Sequence, residues 1–284
     1  MIYKLHNDGT IKAYFGETAG WQTLDNNSAT KSIAANSVNT YQLHNDGKIW
    51  RYTGIPITGW EMIDNDPATT TISATSFKIS EPRTPIELLY KLYGNGTIKM
   101  RDSTTGGWVT LDTPHGTTAI VARGLTLCKL QNDGQIWMYT GVPPLIEWRQ
   151  LDINTNTKAI TANRQGLLFQ LHTDGTIWRF TGTPITGWEK IDINPATTAI
   201  ELSDSGTLYQ MHSSGKIWRY KGIPITGWEI IGDNPATTAI LTDENSRLYQ
   251  LRSDGTILLF MGTPITGWKI IDNDSGTKAI FTSK

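Results

Sequence analysis

Three stretches of the sequence place a tryptophan directly before an arginine, with a glutamate ten residues after that arginine. A carbohydrate offers neighbouring hydroxyls, which need a donor such as Arg and an acceptor such as Glu together, and an apolar C–H face that stacks on Trp. The same Arg and Glu also suit a cross-strand ion pair, worth at most about 1 kcal/mol when exposed. Both interpretations stay open, and they are compatible. The stretches are Trp50-Arg51 with Glu61, Trp178-Arg179 with Glu189, and Trp218-Arg219 with Glu229.

A histidine stands six residues before each of these tryptophans. A fourth tryptophan of this kind, Trp137, is followed by Met138 and represents a degraded version of the group. Corresponding positions elsewhere hold Lys12, Lys99 and Leu258, so packing alone does not demand Trp there. We therefore predict carbohydrate binding by His44, Trp50, Arg51, Glu61, His172, Trp178, Arg179, Glu189, His212, Trp218, Arg219, Glu229 and Trp137.

These groups belong to an internal repeat of about 40 residues. Its hairpin glycine falls at Gly9, Gly47, Gly96, Gly134, Gly175, Gly215 and Gly255. A second marker is a tryptophan that every unit contains, at Trp21, Trp60, Trp108, Trp148, Trp188, Trp228 and Trp268. Seven units account for residues 1–284, with extra residues in the second unit near 78–88, and predict a single domain.

Each unit reads as four short strands separated by Gly/Pro turns, which predicts an all-β, seven-bladed β-propeller of four-stranded antiparallel blades. No window has helical periodicity with caps. Residues 278–282 resemble the strand that precedes the first hairpin strand in other units, so we expect the C-terminal strand to join the N-terminal blade and close the fold.

An Asp-Gly pair between two alternating runs predicts a two-residue hairpin turn. With Asp46-Gly47 as that turn, Leu43 lies opposite Trp50 and Gln42 lies opposite Arg51. Trp50 would then share a blade face with Leu43, and Arg51 would share the other face with Gln42 and His44.

The residues common to the units indicate structure rather than function. The shared tryptophan is expected to fill the space between adjacent sheets, with a partial role as a sugar platform left open. The Asp four residues after it, replaced by Gly232 in the sixth unit, is expected to cap a turn.

Composition excludes several classes of function. A net charge of −1 with scattered charges predicts no nucleic-acid surface, and the absence of an 18-residue apolar run predicts no membrane insertion. One cysteine excludes an internal disulfide, and Cys128 inside a strand predicts an inert buried thiol. No catalytic motif or metal-ligand cluster occurs, so we predict no enzyme, no metal and no cofactor. The first residues lack a secretory signal, which predicts a protein that is cytoplasmic or released without a signal peptide; secretion stays open.

The order of residues in Gly47 to Gly54, Gly59 to Asp64 and Ala199-Ile200 resembles tectonin repeats, found in tectonin and tachylectin-2 type β-propeller lectins. The resemblance covers all seven units. It implies binding of glycans, such as N-acetylated or methylated sugars on cell or bacterial surfaces, and roles in agglutination or innate defence. The Trp/Arg/Glu grouping is also similar in kind to the fucose clamps of fungal and bacterial propeller lectins. Self-association into a homo-oligomer stays open.

The sequence therefore favours a multivalent lectin, since several weak sites on one chain raise avidity. The alternative is a protein-protein interaction scaffold without sugar binding, which predicts one asymmetric patch, for example around the insertion at Lys78–Leu88. A third hypothesis, a propeller hydrolase or lyase, requires converging acidic or His residues that the sequence does not display.

Overall fold

The computed structural model describes residues 1–77, 85–102, 105–141 and 147–284, which contain 28 β-strands and no helix. The insertion near 78–88 lies largely outside these ranges. In chain order the strands are β1 (Ile2–His6), β2 (Ile11–Tyr14), β3 (Trp21–Asp25), β4 (Thr30–Ala35), β5 (Thr40–His44), β6 (Lys48–Tyr52), β7 (Trp60–Asn65), β8 (Thr69–Phe77), β9 (Ile86–Tyr93), β10 (Ile98–Asp102), β11 (Trp108–Asp112), β12 (Thr117–Arg123), β13 (Thr126–Gln131), β14 (Ile136–Tyr139), β15 (Trp148–Asp152), β16 (Thr157–Ala162), β17 (Leu168–His172), β18 (Ile177–Phe180), β19 (Trp188–Asp192), β20 (Thr197–Leu202), β21 (Leu208–His212), β22 (Lys216–Tyr220), β23 (Trp228–Asp233), β24 (Thr237–Thr242), β25 (Leu248–Arg252), β26 (Ile257–Phe260), β27 (Trp268–Asp272) and β28 (Thr277–Thr282).

The strands form seven four-stranded antiparallel sheets, and the predicted seven-bladed β-propeller is confirmed. Blade 1 has the order β28-β1-β2-β3, and blades 2 to 7 each use four consecutive strands, from β4-β5-β6-β7 to β24-β25-β26-β27. The last strand pairs with the first, with Ile2 opposite Thr282 and Leu5 opposite Ala279. The predicted closure by the C-terminal strand is therefore correct.

The chain divides into two compact units. The first contains residues 1–114, 254–256 and 273–284, and so holds blades 1 to 3. The second contains residues 115–253 and 257–272, and holds blades 4 to 7. The single domain stays a prediction.

The hairpin between the second and third strands of each blade corrects one sequence prediction. In blade 2, Gln42 lies opposite Trp50 and Tyr41 opposite Arg51, because the loop has three residues, 45–47, rather than two. Gly47 has φ 84°, and its N–H donates to the His44 carbonyl at 3.1 Å. A three-residue loop with glycine in the left-handed region shifts the register by one residue and exchanges the predicted faces of Trp50 and Arg51.

Apolar side chains from neighbouring blades pack together within each unit. Leu43 and Ile49 of blade 2 join Ala74 and Leu89 of blade 3 in one buried cluster, for example. The Cys128 thiol is fully buried, which raises its pKa to about 12 and confirms the prediction of an inert thiol. Within the described ranges, no helix has the length and hydrophobicity needed to span a membrane.

Candidate functional site

The corrected register brings Gln42, His44 and Trp50 onto one face of blade 2. This face meets Asp25 and Asn27 at the end of β3 in blade 1, and together they line a cleft of about 190 Å³. Because this volume is smaller than the 300–1,000 Å³ or so of drug-sized ligand sites, the cleft suits one small ring. We call it cleft 1/2, after the two blades that form it.

A chain of hydrogen bonds fixes the floor of cleft 1/2. The Thr30 hydroxyl donates to the Gln42 Oε1 at 2.8 Å, and the Gln42 Nε2 donates to Asp25 Oδ2 at 2.8 Å. The Asn26 N–H donates to the other Asp25 oxygen at 2.9 Å, which confirms the turn-capping role predicted for this Asp. Asp25 is 5% exposed and Gln42 is 1% exposed, so the floor is a rigid, nearly dry group of acceptors and donors.

The wall of cleft 1/2 carries two buried polar atoms without hydrogen-bond partners, His44 Nε2 and Trp50 Nε1. The two rings lie 5.7 Å apart at an angle of 30°. Burial lowers the pKa of His44 below its usual value, although the nearby Asp46 and Asp25 carboxylates oppose this shift. The imidazole is therefore neutral at pH 7, and both rings hold unused hydrogen-bonding capacity that a ligand can satisfy.

The rim of cleft 1/2 is a strained loop. Ile57 has φ 67°, a left-handed conformation that costs a β-branched residue about 1–2 kcal/mol. Its N–H donates to the Leu24 carbonyl of blade 1 at 2.8 Å, which holds the loop across the cleft. Strain of this kind is concentrated at ligand-binding sites. The sequence Pro-Ile-Thr-Gly recurs in blades 5, 6 and 7, where the corresponding isoleucines are Ile185 (φ 68°), Ile225 (φ 68°) and Ile265 (φ 64°).

Two further blade interfaces have the same floor and the same pair of rings, and with cleft 1/2 we call them the open clefts. In cleft 4/5 the Trp178 Nε1 donates to the Thr176 hydroxyl at 3.2 Å, so only the His172 Nε2 lacks a partner there. Cleft 4/5 has a volume of about 250 Å³. Cleft 5/6 has the same hydrogen bond on its floor, from Gln210 Nε2 to Asp192 Oδ2 at 2.9 Å. The histidine and tryptophan rings stack in both, at 5.7 and 5.6 Å. Cleft 4/5 is lined by Asp152, Asn154, Gln170, His172 and Trp178, and the corresponding residues between blades 5 and 6 are Asp192, Asn194, Gln210, His212 and Trp218.

The interface of blades 2 and 3 differs, and we call it the lysine cleft. Lys91 replaces the glutamine, and its Nζ lies 2.6 Å from Asp64 Oδ2 and 3.4 Å from Asp66 Oδ2. The Tyr93 hydroxyl, in place of histidine, donates to Asp66. Lys99, in place of the tryptophan, lies over the Tyr93 ring at 5.1 Å. These side chains satisfy one another.

Blade 7 gives a third variant at its interface with blade 6. Gly232 replaces the floor aspartate, and Gln250 Nε2 donates instead to the Thr237 hydroxyl at 2.5 Å. Arg252 and Leu258 replace the histidine and the tryptophan. The cleft has a volume of about 260 Å³ but lacks the floor carboxylate and the two stacked rings.

The predicted Arg and Glu lie on the opposite face of each blade from the Trp and His. Arg51 lies opposite Glu61 in neighbouring strands, and their side chains pair at 2.6 Å. Arg219 pairs with Glu229 at 2.5 Å, and Arg179 pairs with Glu189. The geometry is that of the cross-strand ion pair, and these six residues do not line the open clefts 1/2 and 4/5.

Of the predicted site residues, the structure therefore brings together each His with its Trp, and separates both from the Arg and Glu of the same blade. Trp137 has an unpartnered Nε1 and lies 5.6 Å from the Lys129 Nζ. The prediction missed Asp25, Asn27 and Gln42. The sequence did contain a signal for these residues, because the identities at two positions vary together. The floor glutamine occurs with an Asn, as Gln42 does with Asn27, whereas Lys4 and Lys91 occur with Asp274 and Asp66.

The shared tryptophan links neighbouring blades, as predicted. Trp60 Nε1 donates to the Leu24 carbonyl of blade 1 at 3.0 Å, and Trp188 Nε1 donates to the Leu151 carbonyl at 3.0 Å. Each is half-buried and also lines its cleft, so it serves packing and contributes to the site. Across the described ranges, no group of three or more His, Cys, Asp and Glu residues has the arrangement of a metal site.

Solved structures with the same fold have unrelated sequences. Prp20p from Saccharomyces cerevisiae is 9% identical, with 96% of this chain and 86% of Prp20p aligned at a TM-score of 0.66. Human WBSCR16 is 9% identical, with 95% and 93% aligned at a TM-score of 0.63. The WD40 propeller domain of Doa1 is 12% identical, with 99% and 86% aligned at a TM-score of 0.56. These similarities establish the propeller fold. No family model matches the chain, and no curated protein matches its sequence.

Proposed function

We propose that the protein is a multivalent lectin whose sugar sites are the three open clefts. The observation that carries this proposal is the repetition of one arrangement, in which a buried histidine packs against a half-buried tryptophan above a floor of Gln and Asp. In cleft 1/2 both His44 Nε2 and Trp50 Nε1 lack a partner, and in cleft 5/6 so do His212 Nε2 and Trp218 Nε1. Buried polar atoms without partners cost free energy that a bound ligand recovers.

The chemistry of the cleft suits a sugar. A neutral imidazole nitrogen can accept or donate a hydrogen bond, and an indole N–H can donate one. The floor carboxylate can accept hydrogen bonds from sugar hydroxyls. The exposed edge of the tryptophan and the strained isoleucine supply apolar contact to C–H groups. Neutral, N-acetylated, methylated and 6-deoxy sugars such as fucose all fit this description, on cell or bacterial surfaces. The resemblance to tectonin repeats supports the same function, with no catalysis and no cofactor.

A binding experiment tests the proposal directly. A glycan array selects the best monosaccharide or oligosaccharide, and titration calorimetry then measures the stoichiometry and the affinity. We expect three sites per chain. A single site, or no binding across a broad panel, contradicts the lectin proposal.

Matched variants locate the sites. The triple variant Trp50→Leu, Trp178→Leu and Trp218→Leu is expected to lose affinity at least about tenfold, because each cleft loses an aromatic wall and an N–H donor. Leucine is tolerated at this position, since Leu258 occupies it in blade 7. The control is Arg51→Ala, Arg179→Ala and Arg219→Ala, on the other face, which should bind as the wild type does.

An alternative is a protein-interaction scaffold. Two exposed isoleucines favour this alternative, since Ile55 is 61% and Ile223 is 62% exposed. The crystallographic study of Prp20p, which has the same fold, also describes its binding to Gsp1p and histones. This function predicts that Ile55→Ser with Ile223→Ser abolishes capture of a protein partner. It also predicts that the triple Trp→Leu variant keeps that capture.

A further inference from the structure

The interfaces between blades differ in how they balance charge. In the lysine cleft, the Lys91 Nζ lies within ion-pair distance of both Asp64 and Asp66. In blade 1, Lys4 and Lys12 lie 3.2 and 3.8 Å from Asp274 Oδ2. Lys4 and Lys91 occupy the position that Gln42 has in cleft 1/2, so each neighbouring carboxylate there is paired with a lysine of the protein.

Clefts 1/2 and 5/6 have no such compensation. Asp25 is 5% exposed and Asp192 is 6% exposed, and each accepts from a neutral glutamine amide. Among the side chains that the structure describes, no lysine or arginine lies within ion-pair distance of either carboxylate. Each of these carboxylates is thus bound only to neutral donors, and a protonated amine of a ligand would supply the charged partner that the chain does not provide.

A second acceptor belongs to the histidine that lines cleft 1/2 and to its counterpart in cleft 5/6. His44 is 4% exposed and His212 is 6% exposed, and the Nε2 of each has no hydrogen-bond partner. Burial lowers the pKa of both histidines, and the Asp25 and Asp192 carboxylates are among the charges that act on them. As neutral rings, they can accept a hydrogen bond from an N–H group of a ligand.

The frame of the cleft already accommodates ammonium groups where lysine is present. The Nζ of Lys91 lies 4.4 Å from the centre of the Trp108 ring, and the Nζ of Lys4 lies 4.9 Å from that of Trp21. These tryptophans correspond to Trp60 and Trp228 in clefts 1/2 and 5/6. The same indole face and the same carboxylate position therefore bind a cation in one variant of the interface.

We propose that clefts 1/2 and 5/6 bind a protonated primary amine carried by a sugar, that is, an amino sugar with a free amine beside a hydroxyl. The ammonium donates to the floor carboxylate and to the histidine Nε2, and the neighbouring hydroxyl oxygen accepts from the tryptophan Nε1–H. This inference rests on the proposed lectin function and names its ligand class.

Cleft 4/5 provides an internal contrast. Lys190 pairs with Trp178 across the strands, and its Nζ lies 4.8 Å from the centre of the Trp178 ring. The corresponding residues in blades 2 and 6 are Met62 and Ile230. Because a cation already lies over the tryptophan, cleft 4/5 should have no preference for an amine, and only two of the three sites should show one.

The test compares the methyl glycosides of glucosamine, glucose and N-acetylglucosamine by titration calorimetry, with cyclohexylamine as an amine without hydroxyls. At about pH 6.5, where an amine is protonated, we expect glucosamine to bind two sites about tenfold more tightly than glucose, or about 1.4 kcal/mol. At about pH 9.5, where a sugar amine is neutral, the difference should disappear.

A variant and a matched control locate the charge. Asp25→Asn with Asp192→Asn keeps the acceptor for the glutamine and should abolish the preference for glucosamine. Asp133→Asn with Asp254→Asn removes two exposed carboxylates in the hairpin turns of blades 4 and 7, with the same change in net charge, and should keep that preference. If the first variant does not fold, the comparison of the two pH values decides, since it uses the wild-type chain.

The outcomes separate this inference from the lectin function. Equal binding of glucosamine and glucose overturns the inference and leaves the lectin function standing. Binding of cyclohexylamine as tight as that of glucosamine, with no binding of either neutral sugar, supports the cation site and overturns carbohydrate recognition. No binding of any probe overturns both.

Discussion

Cleft 1/2 and the lysine cleft both use blade 2, yet one offers binding capacity and the other does not. In the lysine cleft, Lys91 contacts two carboxylates and Tyr93 donates to one of them. In cleft 1/2, Gln42 completes the hydrogen bonds of the floor, but His44 Nε2 and Trp50 Nε1 have no partner. The same scaffold is therefore either saturated by its own side chains or left with unmet hydrogen bonds, and the side chains at four positions decide which.

The lysine has a local cost that the glutamine avoids. The Thr69 hydroxyl in the lysine cleft is buried without a partner, because an ammonium group has no acceptor to offer it. The corresponding Thr30 donates to Gln42 Oε1 at 2.8 Å. With glutamine at this position, all the hydrogen bonds of the floor are made, but no cation of the chain pairs with the carboxylate. With lysine, the carboxylate has a cation, but the threonine hydroxyl has no hydrogen-bond partner.

The largest expected effect is the loss of Lys91. Lys91→Met leaves Asp64, which is 13% exposed, and Asp66 without their cation, and we expect the free energy of unfolding to fall by about 3–5 kcal/mol. Gln42→Met, its counterpart in cleft 1/2, removes neutral hydrogen bonds and should cost about 1–3 kcal/mol. Urea denaturation measures both. A Gln42→Met variant less stable than Lys91→Met contradicts the contrast in charge.

Closing cleft 1/2 is the second test. The variant Asn27→Asp, Gln42→Lys, His44→Tyr and Trp50→Lys copies the lysine cleft, and we expect the number of sugar sites per chain to fall by one. Stability should change by less than about 2 kcal/mol, because the added charges pair as Asp66 and Lys91 do. Calorimetric stoichiometry reports the first result and urea denaturation the second. An unchanged stoichiometry would show that cleft 1/2 is not a site.

Much of the fold could be predicted from the sequence, because each repeat carries its own turn glycine and its own tryptophan. The face of the blade on which each side chain lies could not be predicted, because it depends on the length of the hairpin loop. A loop of three residues, 45–47, instead of two exchanges the faces of Trp50 and Arg51. The site was harder still. Each open cleft joins residues from two blades, such as Asp25 and His44, and no pattern within a single repeat reveals which face meets which neighbour.

The third test uses pH. Burial lowers the pKa of His44, His172 and His212, so the folded chain resists protonation there while the unfolded chain accepts protons at the ordinary value near 6.5. These histidines therefore favour the folded state above that value, and their contribution is lost as the pH falls through the lowered pKa. Between pH 7 and pH 5, or thereabouts, the wild type should lose more unfolding free energy than His44→Gln, His172→Gln, His212→Gln. Gln131 occupies this position in blade 4, so the variant should fold. An equal loss in both proteins would contradict the role of burial.

The smallest effect is expected on the opposite face. Arg51→Ala breaks a pair whose side chains are 35% and 54% exposed, and should cost less than about 1 kcal/mol. Arg219→Ala should cost slightly more, because its pair is 22% and 34% exposed and the guanidinium lies 5.8 Å from the Phe260 ring. Thermal unfolding of the two variants shows which of them loses more stability. A loss of sugar binding in either variant would show that the Arg and Glu contribute to the sugar site after all.

The pairing of β1 with β28 has a consequence for synthesis of the chain. The two strands are separated by the 270 residues from 7 to 276, so the ribosome, at about 5–20 residues per second, takes roughly fifteen seconds to a minute to deliver the partner of β1. Until then β1 is an unpaired sheet edge able to bind other chains. Blade 1 is therefore the last blade that can be completed, and the nascent chain is most prone to aggregation through its first strand.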